Sequence, residues 1–254
     1  MRRCKNLENR LNSLIVNKII DFKAEKRKVA IPKVKIINAL SPKSRYTIRE
    51  PHTRRKPTNV TPICTYSKQT LAQLATRLKQ GGVAIVPTDT VYGLVCHPQF
   101  PDALNRIREM KQRDRDKPFQ LLMASVDAVW ADGAVRTPTS ETIARFWPGA
   151  LTAVLNTTDG RTEGYRVPQD APLQELLTAC GGALRATSVN ISGEPPAVAL
   201  SDIPESILNA VDMIIDGGTI QAAEASTVIQ IDAENHLKLL RPGALTQAIL
   251  QSVE

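Results

Sequence analysis

Four positively charged side chains lie within seven residues, where residues 111–117 read KQRDRDK and follow a predicted helix. Arginine presents a planar fork that binds pairs of phosphate oxygens, and lysine adds a point charge on a flexible stem. The cluster therefore suits a triphosphate. A solvated helix end with alternating charges, favoured by the helix macrodipole, has the same composition. The segment by itself leaves both interpretations open.

Hydrogen-bonding side chains also follow two predicted strands, at the positions where α/β sheets commonly bind ligands. Residues 87–93 read PTDTVYG and come directly after an apolar run. Residues 185–196 pass from a strand into Ser188, Asn190 and a turn rich in glycine and proline. Ordinary turns, closed by glycine or by local side-chain hydrogen bonds, are the alternative for both segments.

Two further segments interrupt apolar strands with polar residues. Residues 226–229 read STVI, and residues 239–243 read LLRPG. Two paired strands joined by a turn explain these residues without any ligand, so they indicate a site only in combination with the other segments.

Several chemistries are excluded because their motifs are missing. The chain has no G-x-x-x-x-G-K-[ST] phosphate loop, no G-x-G dinucleotide fingerprint and no G-x-S-x-G nucleophile elbow. The three histidines, His52, His97 and His236, are too far apart for a histidine-rich site, and we predict no protein-bound metal. Four scattered cysteines without a C-x-x-C pair argue against a zinc ribbon or a disulfide scaffold and suit a reducing cytosol.

The net charge of +8 is the sum of two opposed parts. Residues 1–67 carry 17 basic and 4 acidic residues, a net of +13, whereas residues 68–254 carry 16 and 21, a net of −5. We therefore predict an irregular basic arm over residues 1–66 and a folded domain over residues 67–254. The arm is interpreted as a flexible solvated tail, with a nucleic-acid-binding arm and a transit peptide as alternatives. The apolar runs are too short to span a membrane.

The domain alternates helical and strand patterns, which is typical of one α/β domain with a twisted, partly parallel sheet. Apolar spacing and flanking Ser, Gly and Pro residues predict helices over 68–80, 102–110, 139–147 and 172–180, and one from about 245. Short apolar runs predict strands over 83–86, 119–123, 151–155, 184–189, 211–215, 227–231 and 237–240.

Taken together and in this order, the polar segments resemble the TsaC/YrdC family of threonylcarbamoyl-AMP synthases over roughly residues 68–246. The family's K-x-R and S-x-N tetrad corresponds to Lys111, Arg113, Ser188 and Asn190. Its other motifs, P-T-[DE]-T-x-Y-G, W-P-G-x-[LV]-T, V-R-x-P, S-T-[VI] and R-x-G, correspond to residues 87–93, 147–152, 165–168, 226–228 and 241–243. The residues 114–117, DRDK, depart from the family's pattern and leave open which cation meets which phosphate.

The resemblance implies a single YrdC-like domain of the α/β class, in which a twisted mixed sheet flanked by helices surrounds a concave cavity. It implies a nucleotidyltransferase that converts L-threonine, bicarbonate and ATP into L-threonylcarbamoyladenylate and pyrophosphate, with Mg²⁺ accompanying ATP. The product serves the threonylcarbamoyl modification of tRNA adenosine 37, so proteins that transfer the group to tRNA are implied as partners. The chain corresponds to the short form, without an extra C-terminal domain, and is expected in the cytoplasm.

The resemblance also assigns roles to individual residues. Those expected to bind ATP are Lys111, Arg113, Lys117, Asn190 and Arg241, and the first two are expected to be catalytic. Those expected to bind threonine are Thr90, Arg166, Ser188 and Ser226. The alternative function is binding of double-stranded RNA or tRNA without catalysis, which the basic arm favours and the acidic domain does not. YrdC-like modules of carbamoyltransferases are another alternative, but this chain lacks the zinc-finger and acylphosphatase-like segments of those enzymes.

Overall fold

The computed structural model describes residues 61–114, 116–221 and 224–252. The predictions made for the basic arm fall almost entirely outside these ranges and stay predictions. Within the described ranges the chain forms one mixed sheet with helices packed against it. The predicted fold class, an α/β domain with a mixed sheet flanked by helices, is therefore confirmed.

The ten strands of the described residues, numbered β1 to β10 in chain order, are Ile63–Thr65, Val83–Val86, Gly93–Cys96, Gln120–Met123, Leu151–Asn156, Thr162–Arg166, Ala183–Ser188, Met213–Asp216, Thr227–Ile231 and Leu237–Arg241. They are arranged in the order β1-β8-β2-β3-β7-β4-β6-β5-β9-β10. The pairs β1–β8, β2–β8, β4–β6 and β5–β9 are parallel, and the other pairs are antiparallel. The mixture matches the prediction of a partly parallel sheet.

The α-helices of the described residues, numbered α1 to α7, are Lys68–Leu78, Pro101–Lys111, Val126–Ala131, Pro138–Ala144, Ala171–Ala179, Glu205–Leu208 and Thr246–Ser252. Local chemistry explains where they begin and end. Ser67 caps α1, because its hydroxyl accepts a hydrogen bond from the backbone N–H of Thr70 at 3.1 Å. Pro101 occupies the first turn of α2, where backbone N–H groups have no acceptor within the helix, so its missing N–H costs no hydrogen bond. Gly81, just after α1, adopts a φ of +86°, a conformation that favours glycine.

One half of the sheet is covered by helices on both faces. Along β2, Ala84 and Val86 pack in a cluster with α1 and α5, whereas Val83 and Ile85 pack in a second cluster with α2 and α6. Every residue of β2 is buried as a result. This is the reason why β2 reads as a continuous apolar run instead of an alternating one.

The other half of the sheet is covered on one face and open on the opposite face. Along β5, Leu151, Ala153 and Leu155 pack in a third cluster with α3, α4 and α7. The intervening Thr152 and Val154 face a cavity. The strand therefore alternates between core and cavity with period two, and the sheet itself forms the cavity floor.

Several elements differ from the predictions made from the sequence. The segments that form β1, β3, β6, α3 and α6 were not predicted, although β3 and β6 carry or adjoin site residues. β3 begins at Gly93, immediately after the polar loop, and β6 has the sequence TEGYR, which lacks an apolar pattern. β3 is a strand because it pairs with β2 and β7, and β6 is a strand because it pairs with β4 and β5. The sequence of one segment does not show such pairings.

Strand β1 lies on the arm side of the boundary predicted between residues 66 and 67. It pairs with β8 in parallel, with Ile63 opposite Ile214. The described domain therefore includes at least residues 61–66. Among the described residues, the helices are too short and too polar for any of them to cross a bilayer.

Candidate active site

A cavity of about 690 Å³ lies on the open face of the sheet. Side chains of β4, β5, β6, β7 and β9 form its floor, and parts of the loop 87–92 and of the segments 113–118 and 190–196 form its rim. Eight of the nine predicted site residues line it: Thr90, Arg113, Lys117, Arg166, Ser188, Asn190, Ser226 and Arg241. Segments far apart in the sequence thus converge on one concavity.

Arg166, at the end of β6, is buried in the cavity wall with only 3% of its surface exposed. Its Nη2 donates to Asp89 Oδ1 at 2.6 Å, its Nη1 to Thr90 Oγ1 at 2.9 Å and its Nε to Gly149 O at 3.4 Å. Asp89 also accepts from the backbone N–H of Gln169 at 3.1 Å. Burial lowers the pKa of Arg166, and the carboxylate of Asp89 opposes that shift. The ion pair therefore keeps a charged guanidinium in a place where an unpaired one would be very unfavourable.

The loop 87–92, which supplies the partners of Arg166, is fixed by its own hydroxyl groups. Thr88 Oγ1 accepts from the backbone N–H groups of Thr90 at 3.1 Å and Val91 at 3.2 Å, and it donates to Val91 O at 2.7 Å. The hydroxyl of buried Tyr92 donates to a backbone carbonyl at 2.8 Å and anchors the end of the loop. One threonine of the P-T-D-T pattern therefore builds the turn, and the other faces Arg166.

Lys111 is the ninth predicted site residue, and its ammonium group lies beneath the cavity wall instead of in the cavity. It is the last residue of α2 and is 1% exposed. Its Nζ donates to Ser188 O at 2.5 Å, Asn190 O at 2.8 Å and Asn190 Oδ1 at 2.7 Å. These acceptors use all three N–H bonds of the ammonium group. Burial, and secondly the charge of Arg113, lowers the pKa of Lys111 to about 8, so the group is still largely charged at pH 7.

The turn after β7 depends on the ammonium group of Lys111. Asn190 Oδ1 accepts from Lys111 and also from Ser188 Oγ at 2.7 Å. Asn190 Nδ2 donates to Ile191 O at 3.0 Å and to Glu194 O at 2.6 Å. The contacts of Lys111 therefore position Ser188 and Asn190 at the cavity wall, whereas the sequence predicted direct contact between Lys111 and phosphate.

We expect that Lys111→Met lowers the free energy of unfolding by about 1–3 kcal/mol, because buried carbonyl oxygens lose their donor. The measurement is urea denaturation of the full chain without nucleotide. A lysine that served only to bind phosphate would behave oppositely, since its removal would relieve a buried charge and leave stability unchanged or higher. The matched control is Arg113→Met, whose side chain donates to Pro118 O at 2.9 Å and is only half-buried, so its effect should be clearly smaller.

Ser226 and Arg241 meet at another part of the cavity. Arg241 Nη2 donates to Ser226 O at 2.7 Å and to Ser226 Oγ at 3.1 Å. Ser226 Oγ lies 2.9 Å from Thr152 Oγ1, which donates to Gln120 Oε1 at 2.7 Å. Sequence reasoning did not assign Thr152 or Gln120 to the site. Thr152 ends the W-P-G-x-[LV]-T segment and could have been found there, whereas Gln120 lies in an apolar run that carries no such signal.

The cavity is positively charged although the domain is acidic overall. The cations that line it are Arg113, Lys117, Arg166 and Arg241, against Glu194 as the one carboxylate among its described lining residues. Lys117 is exposed and pairs with Asp114 at 3.1 Å. Burial, followed by repulsion from a neighbouring guanidinium, lowers the pKa of Arg113 and of Arg241. An excess of cations in a partly closed cavity favours an anionic ligand.

The fold and the cavity define an α/β protein whose open sheet face carries a cation-rich cavity of the size that takes small ligands. Fixed cations and hydroxyl groups can orient such a ligand and neutralise negative charge that develops on it. In the described part of the chain, no three His, Cys, Asp or Glu side chains are grouped to hold a metal ion.

Comparison with known proteins narrows this class to a family. A family model named for Sua5, YciO and YrdC, and described as "Telomere recombination", matches residues 76–243. A threonylcarbamoyl-AMP synthase of Bacillus subtilis is 30% identical over 212 residues, and one of Bos taurus is 30% identical over 201 residues, which is 72% of either chain. The chain belongs to the Sua5/YciO/YrdC family, and the resemblance seen in the sequence is confirmed.

A solved structure supports the same conclusion. The crystal structure of P. abyssi Sua5 complexed with L-threonine superposes with a TM-score of 0.68 at 30% identity, covering 76% of this chain. This chain spans 60% of that structure's chain. The match to the Bacillus subtilis relative covers 79% of this chain but only 61% of the relative's length.

Proposed function

We propose that this protein is a threonylcarbamoyl-AMP synthase, a nucleotidyltransferase that acts on L-threonine, bicarbonate and ATP. The observation that carries the proposal is the cavity, in which several cations lie within one concavity with the hydroxyl groups of Thr90, Ser188 and Ser226. Its volume is in the range that takes small substrates and cofactors. The shared name of the relatives and the L-threonine bound to P. abyssi Sua5 support it.

The proposed reaction has two steps. The amine of threonine attacks the carbon of bicarbonate, and water leaves to give a carbamate. A carbamate oxygen then attacks the α-phosphorus of ATP, the bond to the bridging oxygen of the β-phosphate breaks, and pyrophosphate leaves. Neither step needs a covalent enzyme intermediate. The protein contributes by holding the substrates in line and by neutralising charge on the phosphates.

The proposed roles follow the positions of the side chains. The groups that neutralise the phosphates are Arg113, Lys117 and Arg241. Asn190, whose side-chain amide already bonds within the turn, contributes to ATP binding by shaping the cavity wall. The groups that bind threonine are Thr90, Ser188, Ser226 and Arg166. An arginine has five N–H bonds, and Arg166 uses three of them on the protein, so two remain for the carboxylate of threonine. Lys111 acts through the turn that it holds.

Mg²⁺ enters, in this proposal, as part of the substrate MgATP. Magnesium ions in nucleotide sites are commonly held by phosphates and by only one or two carboxylates. The described lining residues include one carboxylate, that of exposed Glu194, and no three metal-binding side chains are grouped in the described part of the chain. We therefore assign the ion to the phosphates of the nucleotide and to no ligand of the protein.

The test is pyrophosphate release by the purified full chain supplied with ATP, L-threonine and bicarbonate. We expect release that requires all three substrates. L-serine should be used with about 10- to 100-fold lower efficiency, because a pocket for one methyl group discriminates by only ~1–3 kcal/mol. Release without threonine, or no release under any of these conditions, would contradict the proposal.

The product would serve the threonylcarbamoyl modification of tRNA adenosine 37, with transfer proteins acting downstream and the cytoplasm as the location. The alternative, RNA binding without catalysis, depends on the arm over residues 1–66, which lies mostly outside the described residues. Salt-dependent binding of double-stranded RNA or tRNA that is lost on removing residues 1–60 would place RNA affinity in the arm. It would leave the enzyme proposal unaffected.

A further inference from the structure

Two arginines stack against one aromatic ring at the edge of the cavity. The Cζ atom of Arg108, on α2, lies 5.1 Å from the centre of the Phe119 ring, and that of Arg113 lies 5.3 Å from it. Phe119 and Arg113 line the cavity, and Arg108, which is not a lining residue, adjoins it through the Phe119 ring. The ring is itself 4% exposed, so it holds both guanidinium groups against a fixed surface.

Neither guanidinium forms an ion pair with a carboxylate of the described residues. The neighbouring cations differ in this respect. Arg106, two residues before Arg108 on the same helix, pairs with Asp212 at 2.9 Å. Arg185, which donates to the backbone of Phe119, pairs with Glu163 at 2.6 Å.

The polar atoms of the two arginines also lack partners on the protein. The Nε atoms of Arg108 and Arg113 are both buried and form no hydrogen bond. Each side chain uses one other nitrogen, from Arg108 to Asn105 Oδ1 at 3.1 Å and from Arg113 to Pro118 O at 2.9 Å. Most of their N–H bonds therefore have no acceptor in the described residues.

The two positive charges repel each other. Burial lowers the pKa of Arg113, and the charge of Arg108 lowers it further, more than neighbouring Asp114 raises it. Like charges that are held against one ring and partly out of water are stabilised by an anion placed beside them.

We infer that Arg108 and Arg113 together bind the pyrophosphate portion of ATP, and that Arg108 is a ligand of the leaving group which the K-x-R motif does not include. The inference rests on the proposed function. The other buried arginine of the cavity, Arg166, already has its charge balanced by Asp89, so a polyphosphate gains more from the unneutralised pair. A polyphosphate also offers enough oxygens for several unused N–H bonds.

The test compares Arg108→Gln with Arg106→Gln in the full chain, with ATP, AMP and inorganic pyrophosphate as probes in titration calorimetry. We expect Arg108→Gln to weaken the binding of ATP and of pyrophosphate about tenfold and to leave AMP binding unchanged, since one charge-assisted contact is lost. Arg106→Gln should bind all three like the wild type, because that arginine has its own carboxylate. Arg108→Lys, which keeps the charge, should restore part of the loss.

The outcomes separate this inference from the function on which it rests. If Arg108→Gln binds ATP as tightly as the wild type, or loses ATP and AMP equally, Arg108 is not a ligand of the pyrophosphate portion. If the wild-type chain itself binds no ATP, the proposed function fails and this inference fails with it.

Discussion

Arg113→Ala lowers pyrophosphate release about 100- to 1,000-fold and leaves the protein folded. The expected loss is that of one preorganised group that stabilises charge in the transition state. Arg113 lines the cavity, is half-buried, and is bound to the protein mainly by one hydrogen bond to Pro118 O and by the Phe119 ring. Its removal therefore takes charge from the substrate site without leaving a buried partner unpaired. The measurements are pyrophosphate release at saturating substrates and thermal unfolding.

The matched control is Arg136→Ala. Arg136 also stacks on an aromatic ring, with its Cζ atom 5.1 Å from the ring centre of Trp130, but it does not line the cavity. We expect near-normal release from this variant. Near-normal release from Arg113→Ala as well would show that Arg113 does not contact the reacting phosphates.

The second large effect concerns stability. Asp89→Asn should lower the free energy of unfolding by about 3–5 kcal/mol, because it leaves the guanidinium of Arg166 charged and buried without its counter-ion. Asparagine has the same size but keeps only one of the two acceptor oxygens, so the loss combines the missing charge with the hydrogen bond from the Gln169 N–H. The double variant Asp89→Asn with Arg166→Met should recover much of the stability, since it removes both charges. Urea denaturation measures all three proteins.

An exposed pair provides the comparison for the buried one. Asp159 accepts from Arg161 Nε at 2.7 Å, nearly the same distance as in the buried pair, but both side chains are about half exposed. Asp159→Asn should therefore leave the unfolding midpoint almost unchanged, since solvent screens such pairs. If Asp89→Asn also leaves the unfolding midpoint almost unchanged, the Asp89–Arg166 pair does not contribute the expected stability of about 3–5 kcal/mol.

Much of the site could be predicted from the sequence because its polar residues interrupt apolar strands. Thr90, Ser188 and Ser226 each lie next to a strand whose burial pattern is clear, and the sheet brings those strand ends to one face. What the sequence could not show is the direction of each side chain. Lys111 and Arg113 are two residues apart, yet the Lys111 ammonium group is saturated by oxygens of Ser188 and Asn190, whereas the Arg113 side chain faces the cavity.

The parts that were not predicted depend on contacts between distant segments. Gln120 belongs to an apolar run, and it faces the cavity only because β4 is covered by helices on the side of Leu121 and Met123. Strand β6, with glycine at its centre, is a strand because β4 and β5 flank it. Local propensity carries no information about such neighbours.

The order of the strands also determines when the site can exist during synthesis. Strand β1 pairs with β8, and Arg241 reaches the cavity from β10, near the end of the described chain. Two pairings in the cavity floor, β4 with β7 and β5 with β9, join segments far apart in the sequence, which raises contact order and slows folding. A nascent chain on the ribosome cannot complete this site until β10 has emerged, so substrate binding should appear late and nearly all at once.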